Sequence, residues 1–206
     1  PGSVDTLITM ALTHEIESYL GRDALLEFCR RAYQMLRPGG VWINYDVVGP
    51  DAGTDPVLVS FTTTDGSGAG DLADLSSRAR FERFAHDFRR AEGDGITYDT
   101  VPIDGTDYVR LTRSALYEYL AKKDYLDSWY SEAHEKFCFF SPPDWIDLLE
   151  RTGFRCTAKT RGIRNPWLIE HRFAPAARVF VRDAAGSLIP DEWSWTNVLL
   201  VAEKPA

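Results

Sequence analysis

His14 and Glu15 stand side by side where the apolar run Val4 to Leu12 ends, in the stretch Thr13-His14-Glu15-Ile16-Glu17-Ser18-Tyr19. A histidine titrates near neutrality, so it can take or give a proton during a reaction, and a neighbouring carboxylate can orient its ring. Catalytic groups favour loops at strand ends. The plainer role for both residues is to cap the next segment and bond to backbone. Zinc-protease chemistry is excluded, because His14-Glu15-Ile16-Glu17-Ser18 lacks a second histidine four residues on, and no metal site is read elsewhere. Asn44 and Asp46 close the next apolar run. Strand side chains alternate with period two, so these two share a face. They either touch a substrate or end the strand and start a turn.

Two further clusters carry chemistry. Tyr125, Trp129, Tyr130, Glu132, His134 and Glu135 fall on one predicted helix. Tyr125 and Trp129 are four apart and read as core packing. His134 and Glu135 read as solvent-facing or as lining a cap, and Tyr130 as a substrate contact. Arg164-Asn165-Pro166-Trp167, with His171 and Arg172, lies in a connection between elements. Arginine grips carboxylate or phosphate bidentately, so Arg164, Asn165, Trp167 and His171 are candidate recognition residues. An ion pair beside a packed tryptophan explains them equally well.

The elements that must position these residues follow from periodicity. Val4 to Leu12 suits a strand buried on both faces, as in a parallel sheet. Leu25, Cys29, Ala32 and Leu36 mark one face of a helix over 22–36, with Asp23 as its cap. Arg37-Pro38-Gly39-Gly40 stops it, and Val41 to Val48 is the second strand. Strand, helix, strand is a βαβ unit, hence an α/β fold. The stretch 49–74 is rich in Gly, Asp, Thr and Ser and reads as a loop. A helix follows over 77–91, with Phe81, Phe84 and Phe88 on a common face, and then two helices or one broken helix over 112–123 and 124–137. Residues 51–138 therefore form a helical insertion, a candidate cap over the strand ends beside His14. Ser141-Pro142-Pro143-Asp144 opens another helix through a capping box, and Gly153 closes it. Strands over 154–161 and 196–203 and a hairpin around Asp183-Ala184-Ala185-Gly186 complete the chain.

The chain has 206 residues, 44% hydrophobic and 26% charged, which suits one soluble domain with a sizeable core. Aromatics reach 13%, and a pocket or dense packing explains them. A net charge of −8 argues against a phosphate-gripping surface, and Lys159, Arg161 and Arg164 form the one short basic cluster. Cys29, Cys138 and Cys156 contain no CxxC and are odd in number, which fits a reducing cytoplasm. No run approaches the ~18–20 apolar residues of a membrane span. Pro1-Gly2-Ser3 is not read as part of a signal peptide or of the fold.

The order of motifs resembles the C-terminal half of the class I S-adenosylmethionine-dependent methyltransferases. VDTLITMALTHE (4–15) looks like their fourth strand and its loop. LLEFCRRAYQMLRPGGVWINYD looks like the next helix, the Leu-x-Pro-Gly-Gly turn and the fifth strand. SPPDWIDLLERTGF looks like the helix before the sixth strand, and TNVLLVAEKP like the last, antiparallel strand. The match covers 4–50 and 139–206 of one methyltransferase-like domain over 4–206.

The resemblance implies a Rossmann-like, mostly parallel sheet and methyl transfer from S-adenosylmethionine to an O or N nucleophile of a small molecule. Thr13 and His14 would face the cofactor, with His14 as base and Glu15 as its partner. Tyr19, Asn44, Asp46 and Tyr130 would contact the acceptor. The family's Gly-rich cofactor loop is missing before Asp5, and Gly66-Ser67-Gly68-Ala69-Gly70 does not lie between a buried strand and a helix. The expectation is that an upstream region of about 100 residues or a partner chain supplies that loop. The alternative is a non-catalytic methyltransferase-like domain that binds or regulates a partner.

Overall fold

The structure is a computed structural model that describes residues 2–206; Pro1 lies outside the described residues. In chain order the elements are β1 (Val4–Met10), α1 (Thr13–Leu20), α2 (Arg22–Met35), β2 (Leu36–Val47) and β3 (Pro56–Phe61). Then come α3 (Ser77–Asp87), β4 (Asp99–Ile103), β5 (Thr106–Thr112), α4 (Arg113–Lys122), α5 (Trp129–His134) and α6 (Pro142–Thr152). The last are β6 (Arg155–Cys156), β7 (Arg161–Ile163), β8 (Ala177–Arg182), β9 (Leu188–Pro190) and β10 (Asn197–Glu203). The chain divides into two compact units, one of residues 1–51, 135–165 and 195–206 and the other of 52–134 and 166–194.

The first unit is α/β. Its sheet runs β1-β2-β10-β6, with β7 also on β10. β1 and β2 pair in parallel, and β10 is antiparallel to β2, β6 and β7. The sheet is therefore mixed: β1, β2, β6 and β7 share a direction, but β10 intervenes and leaves one parallel ladder. The antiparallel last strand matches the expectation; a mostly parallel ladder does not form among the described residues. The strand expected over 154–161 is broken into β6 and β7 around a turn at Thr157–Thr160.

α2 buries the predicted face: Leu25, Cys29, Ala32 and Leu36 are fully enclosed with Trp42, Trp145, Leu149, Val198, Leu200 and Ala202. Asp23 is not its cap; Gly21 holds that position without a side-chain bond. The Pro-Gly-Gly stop turns directly into β2. Gly40 is required there, because a Cβ would stand 2.9 Å from the Arg37 carbonyl and 3.0 Å from that of Val4. Ser141 and Asp144 form the expected capping box of α6, and Gly153 ends that helix at φ 105.

β1 is not buried on both faces. It is the sheet's edge strand, and Ile8 and Met10 are 66% and 69% exposed. Its apolar run reports hydrophobicity, not which neighbours cover the strand.

The second unit is not a helical insertion alone. It contains a five-stranded sheet, β4-β5-β3-β8-β9, antiparallel throughout. The PVLVSF segment of β3 lies inside the stretch read as a loop, where six apolar-rich residues were masked by flanking Gly, Asp and Thr. Phe81, Phe84 and Phe88 are buried as expected. Phe81 stacks on Phe61 at 4.6 Å, and Phe84 meets Trp129 edge-on at 5.6 Å. The helix read over 124–137 is only α5; Tyr125 precedes it and is 43% exposed, so it shares no helical face with buried Trp129. No helix among the described residues is long and apolar enough to cross a membrane, and the three cysteines form no disulfide.

Candidate functional site

The site grows from the end of β2. Register pairs Thr9 with Asn44, and period two puts Trp42, Asn44 and Asp46 in one row on the face covered by α2 and α6. All three are almost completely buried, so each polar atom needs a partner. The Trp42 indole donates to Thr9 Oγ1 at 2.8 Å, and Thr9 Oγ1 donates to Asn44 Oδ1 at 2.7 Å. Asn44 Nδ2 donates to Thr13 Oγ1 at 3.2 Å, and that hydroxyl donates to Asp46 Oδ2 at 2.5 Å.

Asp46 closes this chain at the start of α1. Leu12, the N-cap, offers no side-chain bond. Instead Asp46 Oδ2 accepts from the Thr13 amide at 2.7 Å and the His14 amide at 3.3 Å. A carboxylate from another strand thus satisfies the helix's first donors and faces its positive end. The chain reaches this geometry through Ala11, which adopts a left-handed φ of 48°. That conformation is costly for an alanine and is held by the surrounding bonds.

His14 is the terminus of the network. Its Nδ1 lies 2.6 Å from Asp46 Oδ1. Nε2 lies 3.5 Å from Glu135 Oε2 and 4.0 Å from Glu15 Oε1, and the ring meets Phe137 edge-on at 5.0 Å. Ser18 ties the parts together: its hydroxyl donates to the His14 carbonyl at 2.6 Å and accepts from the Lys136 amide at 2.7 Å. Tyr19 donates to Glu135 Oε1 at 3.3 Å.

Burial by itself would lower the pKa of His14. The hydrogen bonds and charges of Asp46 and Glu135 outweigh it and raise the value from 6.5 to about 9. Burial likewise would raise Asp46, but the contacts with His14, Thr13 and the Val47 amide hold its carboxyl below the usual range. These contacts favour the imidazolium form of His14 beside the Asp46 carboxylate at neutral pH. Ligand atoms of His14, Glu15 and Glu135 lie within 4.8 Å of one another, a spacing that would suit a cation.

The structure thus brings together Thr13, His14, Glu15, Tyr19, Asn44 and Asp46 of the expected residues. It reassigns two of them. Asp46, not Glu15, orients the histidine, and Glu15 is 45% exposed. Thr13 has both its amide and its hydroxyl engaged by Asp46, which leaves no donor for a cofactor. Glu135 is buried against His14 rather than solvent-facing; more than a hundred residues separate the two, and no motif links them. Thr9 and Trp42 were also missed, although the row they form with Asn44 was open to period-two reading.

The remaining candidates are divided between the two units. Arg164 stacks its guanidinium over Trp195 at 4.7 Å, and the Asn165 amide donates to Thr196 Oγ1 at 3.0 Å, both in the first unit. Trp167 and His171 belong to the second unit and pack on each other at 5.3 Å. Tyr130, also of the second unit, is 69% exposed and accepts from Arg83 at 3.0 Å.

No family model matches the sequence, and no curated protein does. Among solved structures the chain is similar to a possible exported protein from Bordetella parapertussis, at 15% identity and a TM-score of 0.37. It is similar to SAM-dependent methyltransferases from Methanosarcina mazei at 12% identity and a TM-score of 0.37. It is covered over 100% and 99% of its length but spans only 40% and 60% of those chains. Likeness at this level carries no weight for what the residues do.

Proposed function

We propose that this chain forms the acceptor side of an S-adenosylmethionine-dependent methyltransferase. It acts on an O or N nucleophile of a small molecule, and His14 takes the acceptor's proton. The carrying observation is the Asp46–His14 pair at 2.6 Å at the end of β1, with Nε2 directed away from Asp46 toward Glu135. A carboxylate bonded to Nδ1 fixes the tautomer and strengthens the base at the other nitrogen. When His14 is neutral, a hydroxyl or amine held near Nε2 loses its proton to that nitrogen. Glu135 and Asp46 then stabilise the resulting imidazolium.

The described residues do not fit the cofactor itself. Thr13 is spent on Asp46, and no Gly-rich strand–loop–helix cradle forms around β1. The reading therefore gives these residues the acceptor's proton only and leaves the cradle to a further region or a partner chain. A net charge of −8 supports a small-molecule acceptor over nucleic acid. Three cysteines, an odd number with no CxxC, support a reducing cytoplasm.

One observation favours the non-catalytic reading. His14 is only 6% exposed and already saturated by carboxylates, as a purely structural ion cluster would be. Calorimetry with S-adenosylmethionine and transfer of its labelled methyl group to hydroxyl and amine acceptors, on the intact protein, separate the two. Cofactor binding with transfer lost in His14→Ala is the expected result. Absence of cofactor binding overturns the enzyme.

A further inference from the structure

The antiparallel sheet of the second unit presses one face, with Val59, Phe61 and Val109, against its helices. On the opposite face the register aligns Arg110, Leu58 and Phe180 across β5, β3 and β8. Arg182, two residues beyond Phe180, falls on that same face. These side chains, with Arg113 at the start of α4 and Asp55, line a pocket of about 390 Å³.

The charges there are unevenly matched. Arg110 pairs with Asp99, but both are more than half exposed, where such a pair holds weakly. Arg113 binds Asp191 through Nη1, yet its Nε is shielded from solvent and has no hydrogen-bond partner among the described residues. A buried guanidinium donor left unpaired is costly, and buried donors are rarely left so without a reason. Arg182 donates to the Gly186 carbonyl at 2.6 Å and has no carboxylate partner among the described residues. Leu58 and Phe180 supply an apolar surface between these cations, as small-molecule sites do. Asp55 on the lining disfavours a second negative charge, which selects a monoanion over a phosphate dianion.

We propose that this pocket binds a small organic carboxylate with a flat apolar body. The carboxylate meets Arg113 and Arg182, and the body lies on Leu58 and Phe180. The site is independent of the His14 chemistry.

Benzoate is the probe, titrated into the full chain and followed by amide NMR shifts. The expected result is saturable shifts at Leu58, Phe180 and Val181 with a Kd of about 1 mM or tighter. Inorganic phosphate, which lacks the body, and benzyl alcohol, which lacks the charge, should each bind at least about tenfold more weakly. Arg113→Gln should abolish the shifts. Arg182→Gln, at an exposed position that the fold tolerates, should weaken binding about tenfold even if Arg113→Gln fails to fold. No saturation by 10 mM benzoate, on the order of ten times that Kd, overturns the proposal. Equal binding of either control, or undiminished binding in Arg182→Gln, overturns it too.

Discussion

In the first unit, the face of β2 packed against helices carries Asn44 and Asp46 beside Trp42, whereas the corresponding face in the second unit is apolar, with Val57, Val59, Phe61 and Val109. Both faces are buried, but they specify different things. Apolar side chains pack well in several arrangements of similar volume. A row of buried polar atoms is tolerable only when every donor meets its acceptor, and that condition selects one geometry. From Trp42 to His14 the bonds are continuous, and they aim a single imidazole nitrogen. The Phe61–Phe81–Phe84 cluster holds a unit together without aiming anything.

The largest effect that tests this contrast is on rate. His14→Ala in the intact protein should lower methyl transfer about 10²–10⁴-fold while cofactor affinity stays nearly constant. Single-turnover kinetics beside thermal stability on the same variant provide the check. Full turnover in a destabilised variant would leave His14 a structural cation. Phe84→Ala should do the converse in the second unit. It should cost about 3–5 kcal/mol of unfolding free energy through the cavity it opens, measured by denaturant titration.

Asp46→Asn sharpens the comparison further. Three amides, a hydroxyl and an imidazole lose a charged acceptor, so stability should fall by about 1–3 kcal/mol. With its counter-charge gone, the burial of His14 is less opposed, and its pKa should drop well below about 9 in an NMR titration. In the unsubstituted protein the sign is set by the raised value. The stabilising contribution of His14 is complete below pH 6.5 and lost as pH rises through about 9. The unfolding midpoint should therefore decline over that window, and the decline should vanish in His14→Gln. Over the same window the neutral base form grows, so turnover should climb by up to about tenfold per pH unit. A rate that is flat from pH 7 to 9 would remove His14 from the proton transfer. The smallest effect belongs to the turn before α1. Ala11→Gly should relieve the left-handed strain at φ 48° and stabilise by up to about 1 kcal/mol, readable as a small rise in Tm.

Much of the local architecture was legible in the residues. The face Leu25–Cys29–Ala32–Leu36, the capping box at Ser141 and Asp144, the Gly153 stop and the shared face of Asn44 and Asp46 all rest on spacings of a few residues, which the chain encodes directly. His14 was conspicuous too, as a histidine directly after an apolar run, and the structure places it at the end of a buried polar network. β3 was not, since turn-forming neighbours outweighed its short apolar run.

What the sequence by itself determined is the set of elements with strong local periodicity and the presence of a histidine at the end of the first strand. Only the tertiary structure decided that Asp46 rather than adjacent Glu15 orients His14, that Glu135 closes the other side, and that Thr13 has no donor to spare. Adjacency along a helix separates side chains by about 100°, so Glu15 comes no nearer than 4.0 Å to Nε2, while residues from β2 and from beyond α5 approach the ring more closely. Proximity of that kind is set by strand register and chain return, which no short window of residues contains.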